Sequence, residues 1–173
     1  MAEFQFVVRI ATPDDADAIA RIHNQGISER IATFETEART AAQVRQSLTE
    51  KASTFPTIVV ERDGAVIGWA AAGAYRARPC YHGIAEHSVY ADQTYRNVGV
   101  GRAALQELVR VYQQLGFWKL VSRIFPENTA SLALHEALGF RVVGVYRRHA
   151  QLDGEWKDCV IVERLLGAAD QNP

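Results

Sequence analysis

Two hydrophobic periods, one of two residues and one of three to four, follow each other irregularly along these 173 residues. That order excludes most ways of folding such a chain. Phe4–Ile10 alternates and is β-rich, so it reads as a strand. Thr12 then stands as an N-cap before Pro13 at the first helical position, with Asp14 and Asp15 favouring the positive end of the helix dipole. Ala16, Ile19, Ala20, Ile22 and Ile27 form a helical face through about Ser28. Thr40 and Gln43 make a capping box that opens a second helix ending near Ala52. Period two returns in Thr57–Arg62 and Ala65–Tyr75, which flank the hairpin turn Asp63-Gly64, and again in Ile84–Ala91. A third helix carries Leu105, Leu108, Val109 and Tyr112 on one side and closes at Leu115-Gly116. Phe117–Phe125 is a strand stopped by Pro126. Asn128 caps a short helix with Leu132, Leu134 and Leu138 inside and Gly139 at its end. Phe140–His149 and Glu155–Leu166 form a last hairpin around Asp153-Gly154.

The resulting order, β-α-α-β-β-β-α-β-α-β-β, does not alternate regularly enough for a doubly wound parallel sheet. One mixed sheet flanked by helices, an α/β fold, accommodates it. The expected organisation is one domain over residues 1–173, with its core in 4–166 and a polar, frayed tail at 167–173.

Composition narrows the function. With 48% apolar and 23% charged residues the chain has the make-up of a soluble globular protein. Its net charge of −1 offers no footprint for nucleic acid or an anionic membrane. No apolar run approaches the ~20 residues that span a bilayer, and Met1-Ala2-Glu3-Phe4 shows no signal-peptide pattern. A cytoplasmic location is expected. Cys80 and Cys159 are too few for a disulfide framework. Five histidines, His23, His82, His87, His135 and His149, contain no HxxxH or HxH pair, so no metal site is expected. Trp69, Trp118 and Trp156 read as strand residues of a core or interface.

The most informative local feature is Gly99-x-Gly101 between a strand and a helix. Glycines let the backbone turn tightly there, and the helix behind adds unpaired N–H donors and the positive end of its dipole, which together make an anion site. Arg96 and Arg102 bracket the loop and suit phosphate. A plain strand–loop–helix turn fits the same residues. Gly99-x-Gly101-x-x-Ala104 formally matches the dinucleotide fingerprint, which needs an acid ~20 residues on to hold a ribose. Lys119-Leu120-Val121-Ser122-Arg123 supplies none. No Gly-Lys-Ser/Thr is present for a P-loop.

Arg96-x-x-Gly99-x-Gly101 resembles the pyrophosphate loop, Q/R-x-x-G-x-G/A, of the GNAT N-acetyltransferases. Its neighbours match in order: strand His87–Ala91 before it and Asn128…Leu138-Gly139-Phe140 after it. The resemblance covers the chain from Phe4 to about Leu166 and implies the GNAT fold, a mixed, mostly antiparallel sheet. Ala85-Glu86-His87-Ser88-Val89-Tyr90, Leu134-His135-Glu136-Ala137-Leu138-Gly139-Phe140 and Thr33-Phe34-Glu35 are similar to the branch that acetylates phosphinothricin, methionine sulfoximine and arsinothricin. That resemblance implies acetyl-CoA as co-substrate, a small glutamate-like amino acid as acceptor, a detoxifying role and a homodimer. By the same resemblance, with sites near the dimer interface, the loop of Phe34 and Glu35 would contribute to the partner's substrate pocket.

Roles follow from chemistry and from that resemblance. An ammonium cannot attack a thioester, so a base must take its proton. Glu86 is the candidate, lying in an apolar stretch where desolvation would raise a carboxylate pKa. His135, on the short helix, would relay the amine proton or protonate the leaving thiolate. The resemblance places Val89, Tyr90 and Ala91 at the pantetheine arm and the thioester carbonyl. It places Asn97, Val98, Gly99, Val100, Gly101 and Arg102 at the pyrophosphate. Asn128 would bond the pantetheine as well as cap its helix. Arg76 and Arg78, with Ala77 between them, have the forks that hold carboxylate or phosphinate oxygens, and His87 and Ser88 would line the pocket beside Glu86. A protein N-terminus as acceptor, or a CoA-binding module without turnover, fits the same sequence.

Overall fold

Among residues 5–171, which the computed structural model describes, seven strands hydrogen-bond into one sheet. They are β1 (Val7–Ile10), β2 (Ile58–Arg62), β3 (Ala65–Ala74), β4 (Ile84–Ala91), β5 (Lys119–Ile124), β6 (Arg141–Leu152) and β7 (Glu155–Leu165). The helices are α1 (Ala16–Glu29), α2 (Ala41–Lys51), α3 (Val100–Gln114) and α4 (Thr129–Ala137). Phe4, where the first strand was expected to begin, lies outside the described residues, as do Asn172 and Pro173 of the expected frayed tail. The rest of that tail, Gly167–Gln171, coils into a short 3-10 helix.

The strand order is β1-β2-β3-β4-β5-β7-β6. Every pair is antiparallel except β4–β5. Those two run parallel because α3 carries the chain back between them, as a parallel pair requires. The terminal hairpin inserts β7 beside β5 and leaves β6 at the edge.

Local chemistry sets the helix ends. The Thr40 hydroxyl accepts from the Gln43 N–H at 3.2 Å, while Gln43 Oε1 accepts from the Thr40 N–H at 2.8 Å. Pro13–Asp15 winds as a 3-10 turn ahead of α1 instead of as its first α-turn. Asp15 accepts from the Thr12 N–H at 2.7 Å and from two Arg9 nitrogens at 2.8 and 2.9 Å. Arg9 also bonds Glu61, which fastens β1, β2 and the start of α1 together.

Both faces of the sheet are covered, so β2 is buried at successive positions. Ile58 and Val60 enter the cluster under α3, with Leu105, Leu108 and Tyr112. Val59, between them, enters the cluster under α1 and α2 with Ile19, Ile22, Val44, Leu48 and Trp69. Fully burying a leucine such as Leu105 or Leu108 stabilises the fold by ~1.5–3 kcal/mol. A third cluster, Val121, Phe125, Leu152, Cys159 and Ile161, fills the far end of the α1–α2 face. Two expectations are corrected. Trp118 precedes β5 and packs over Gly83, and Leu132 and Leu134 are only half-buried; Trp156 stands in β7 as expected, exposed and outside the core.

The feature that positions everything below is a split in the sheet. The β4–β5 register runs Ile84↔Lys119, Ala85↔Leu120, Glu86↔Val121 and stops. β4 keeps its other partner, β3, as far as Ala91↔Gly68. From His87 to Ala91 the β5 side of β4 is therefore released from the ladder, and a Ser122 hydroxyl donating to the His87 carbonyl at 3.1 Å bridges the start of the gap.

Candidate active site

The split opens into a 310 Å³ cavity between the end of α1, the end of β4, the glycine loop and α4. Val89, Tyr90, Ala91, Asn97, Gly99, Val100, Gly101, Arg102 and Asn128 all line it. Val98, expected with them, turns its side chain toward the core beneath α3. Gly99 has φ +96° and Asn97 φ +61°, left-handed conformations that turn the loop sharply into α3. The loop's N–H groups and the first N–H groups of α3 thereby gather at the cavity wall, an arrangement that holds an anion. At Gly101 a Cβ would lie 3.2 Å from Leu134 Cδ2, so glycine is what allows α3 and α4 to close around the groove. Arg102 lines the groove. Arg96 lines it too, but its guanidinium is paired with Glu29 of α1 at 2.8 Å instead of standing free for phosphate. Asn128 Oδ1 accepts the Ser131 N–H at 3.2 Å, so the cap is made and the side chain still faces the cavity.

Strand alternation then separates residues that are adjacent in sequence. Glu86, Ser88 and Tyr90 share one face of β4; His87 and Val89 share the other. Glu86 lines a 210 Å³ cavity with Tyr75, Arg76, Val121, Arg123, Tyr146, His149 and Ile161. The expected apolar setting of Glu86 is corrected, because its carboxylate accepts from Arg123 Nε at 2.6 Å at the cavity wall. The expected pair of arginines is corrected as well. Arg76 lines the cavity, whereas Arg78 and Ala77 are exposed outside its walls, and Arg123 is the second fork. His87 is 2% exposed and points away from Glu86, so it does not line that pocket. Phe34 packs edge-on against Phe125 at 4.7 Å and stands outside the cavity walls.

A small cavity of 40 Å³ shares wall residues with both larger ones. It has Val89, Tyr90 and Asn128 in common with the loop groove and Arg123 in common with the Glu86 cavity, and Ser88, Ser122 and His135 are among its other walls. His135 is 1% exposed. Its Nδ1 lies 2.7 Å from the Ser131 carbonyl, which only accepts, so Nδ1 carries the proton. Its Nε2 lies 2.9 Å from His87 Nε2. With Nδ1 protonated in a neutral ring, that Nε2 must accept and His87 must donate. Burial, and then the neighbouring His135, push His87 down to about 3, and burial lowers His135 too. Both rings are therefore neutral at pH 7. His87 Nδ1 lies near the Val121 main chain without a bond of good geometry. Both nitrogens of His135 are engaged, so in the expected proton relay a proton arriving at Nε2 must displace the bond from His87.

Several wall residues escape sequence reading. Period two puts Arg123 on the same face of β5 as Val121, but only the register Glu86↔Val121 brings that face beside Glu86. Tyr146 and His149 could not be placed that way. β6 shifts register between Tyr146 and Ala150, with Arg148 at φ +48°, and that irregularity aims both side chains. Burial pushes the Tyr90 phenol up to about 12, so it remains protonated at the junction. No cluster of three metal-ligating side chains occurs among the described residues. No helix there is long and apolar enough to cross a membrane.

Residues 19–140 match the model of the Acetyltransferase (GNAT) family. The phosphinothricin N-acetyltransferase of Alcaligenes faecalis is 33% identical over 98% of this chain and 87% of that protein. The L-methionine sulfoximine/L-methionine sulfone acetyltransferase of Salmonella typhimurium is 30% identical over 92% of this chain and 94% of its own length. The crystal structure of a phosphinothricin acetyltransferase from Sinorhizobium meliloti, in complex with AcCoA, superposes with a TM-score of 0.89 at 31% identity, covering 97% of this chain and 92% of that one.

Proposed function

The chain belongs to the GNAT acetyltransferase family, and on that premise we propose that it moves the acetyl group of acetyl-CoA onto the α-amino group of a small glutamate-like amino acid. Phosphinothricin, methionine sulfoximine, methionine sulfone and arsinothricin are the candidate acceptors. The observation that carries this reading is the junction at Ser88 and Tyr90. The small cavity there shares wall residues with an anion-binding groove and, through Arg123, with a cavity holding one carboxylate and two arginines, at the gap between β4 and β5.

In this reading the loop from Asn97 to Arg102 takes the pyrophosphate, with its N–H groups and the start of α3 supplying the donors. The main chain of Val89, Tyr90 and Ala91, released from β5, accompanies the pantetheine arm and polarises the thioester carbonyl. A donor fixed where negative charge develops stabilises the tetrahedral oxyanion. Arg76 and Arg123 hold the acceptor's acidic groups by their planar forks. Glu86 takes a proton from the ammonium, directly or through one water. The amine nitrogen then attacks the carbonyl carbon, the C–S bond breaks as the carbonyl re-forms, and the second proton that the nitrogen loses on becoming an amide passes to the departing thiolate, directly or through water. His135 fixes α4 against β4 through His87 and so shapes the junction.

The reading extends to a whole-chain single domain, a cytoplasmic homodimer and a role in detoxifying amino-acid antibiotics or herbicides. A thiol-release assay with acetyl-CoA tests its centre, using the candidate acceptors beside glutamate, a polyamine and short peptides, with Glu86→Gln as control. Turnover of a glutamate mimic that the variant loses is the expected result. Preference for peptides would make the acceptor a protein N-terminus. Binding of acetyl-CoA without thiol release from any amine would make the chain a CoA-binding module.

A further inference from the structure

Glu86 of β4 and Arg123 of β5 meet in the wall of the 210 Å³ cavity. Arg123 donates to Glu86 Oε1 through Nε, at 2.6 Å. Its two terminal nitrogens have no partner among the described residues, so the outer edge of the fork stands open. The pair is 28% and 48% exposed at its two side chains, and ion pairs of that kind exchange partners at little cost. Arg123 is also the one described residue that this cavity shares with the small cavity at Ser88 and Tyr90. Arg76, the other guanidinium of the wall, lies over the Tyr75 ring at 5.1 Å and has no carboxylate partner among the described residues.

The wall thus sets two guanidiniums, which stay protonated, against one carboxylate. An α-amino acid brings an ammonium and a carboxylate to it. When the ammonium proton passes to Glu86, the side chain becomes a neutral carboxylic acid and the nitrogen a neutral amine. Arg123 has then lost its counter-ion, and the acceptor's α-carboxylate balances only one of the two guanidiniums. A second anion, on the acceptor's side chain, balances the other; a neutral side chain leaves it unbalanced. A charge-assisted bond that strengthens as the proton leaves is stronger in the transition state than before it, and such interactions raise kcat.

We propose that Arg123 is a specificity-determining residue that makes fast turnover depend on an anionic side chain in the acceptor, its counter-ion passing from Glu86 to the acceptor as Glu86 takes the proton. This rests on the reaction proposed above and adds which of its acceptors are fast. Phosphinothricin and methionine sulfone test it, because they match in chain length and shape and differ in one charge, a phosphinate against a sulfone. Thiol release at saturating acetyl-CoA gives kcat and KM for each acceptor with the wild type, Arg123→Gln and Arg123→Lys. In the wild type, kcat for phosphinothricin should exceed kcat for the sulfone at least about tenfold, the scale of one hydrogen bond to a charged group. Arg123→Gln should remove most of that ratio, with phosphinothricin slowed and the sulfone accelerated, and Arg123→Lys should restore part of it. Equal kcat for the two acceptors in the wild type overturns the proposal. A preference that survives Arg123→Gln assigns it to Arg76 and overturns it too. The same holds for a change confined to KM, or for an equal fall with both acceptors, which marks a structural role. Acetyl-CoA binding without thiol release from either acceptor refutes the proposed reaction and this inference together, whereas the other adverse results refute the inference alone.

Discussion

Replacing His87 by glutamine should remove much of the acid sensitivity of the fold. His87 is buried and held neutral, with a pKa pushed from 6.5 to about 3. The unfolded chain binds a proton there as pH falls through 6.5, while the folded chain does not until near 3. Stability is therefore lost on acidification across that window, and constant above and below it. Between pH 8 and pH 5 the loss from this one group is about 2 kcal/mol, from ~1.4 kcal/mol per pH unit over the 1.5 units below 6.5. That figure barely changes for any folded value below about 4, because the folded protein is then unprotonated at pH 5 in every case. Glutamine does not titrate and retains an N–H to donate toward His135 Nε2. Urea unfolding of both proteins at pH 8 and pH 5 measures the difference. The wild type should lose about 2 kcal/mol more than the variant over that interval. Losses of equal size in the two proteins would refute the buried neutral pair, whatever their stabilities at pH 8.

Glu86→Gln should lower kcat by roughly 10²–10⁴, the usual worth of a general base, with acetyl-CoA affinity unchanged by calorimetry. Arg123→Gln should raise KM for an acidic amino acid at least tenfold while KM for acetyl-CoA stays constant, since Arg123 lines the Glu86 cavity and not the loop groove. Gly99→Ala forces a side chain to φ +96°, at a cost of ~1–2 kcal/mol, and should weaken acetyl-CoA binding measured by the same calorimetry. Phe34→Ala should destabilise the protein by roughly 2 kcal/mol in urea, because this half-buried ring packs on Phe125.

The sequence by itself determined the elements and the anion groove. Local rules suffice for both: Asp-Gly favours the tight hairpin turn, Thr40 and Asn128 cap the starts of α2 and α4, and a glycine loop running into a helix gathers N–H donors wherever it sits. β4 was read with its observed ends, Ile84 and Ala91, and all but Val98 of the residues assigned to the groove line one cavity. Glu86 was legible as a carboxylate near that groove, but its surroundings were not. Arg123 reaches it from a strand that is parallel and thirty-odd residues distant, and Tyr146 and His149 arrive through an irregularity in β6 that leaves no local mark. Tertiary structure likewise decided which neighbours of Glu86 share its face. Adjacent strand residues point to opposite sides, so His87 went under the sheet to meet His135, forty-eight positions away. Where β4 and β5 part is the same kind of fact. It depends on how α3, α4 and the terminal hairpin pack around two strands at once, and no window of sequence contains all of those contacts.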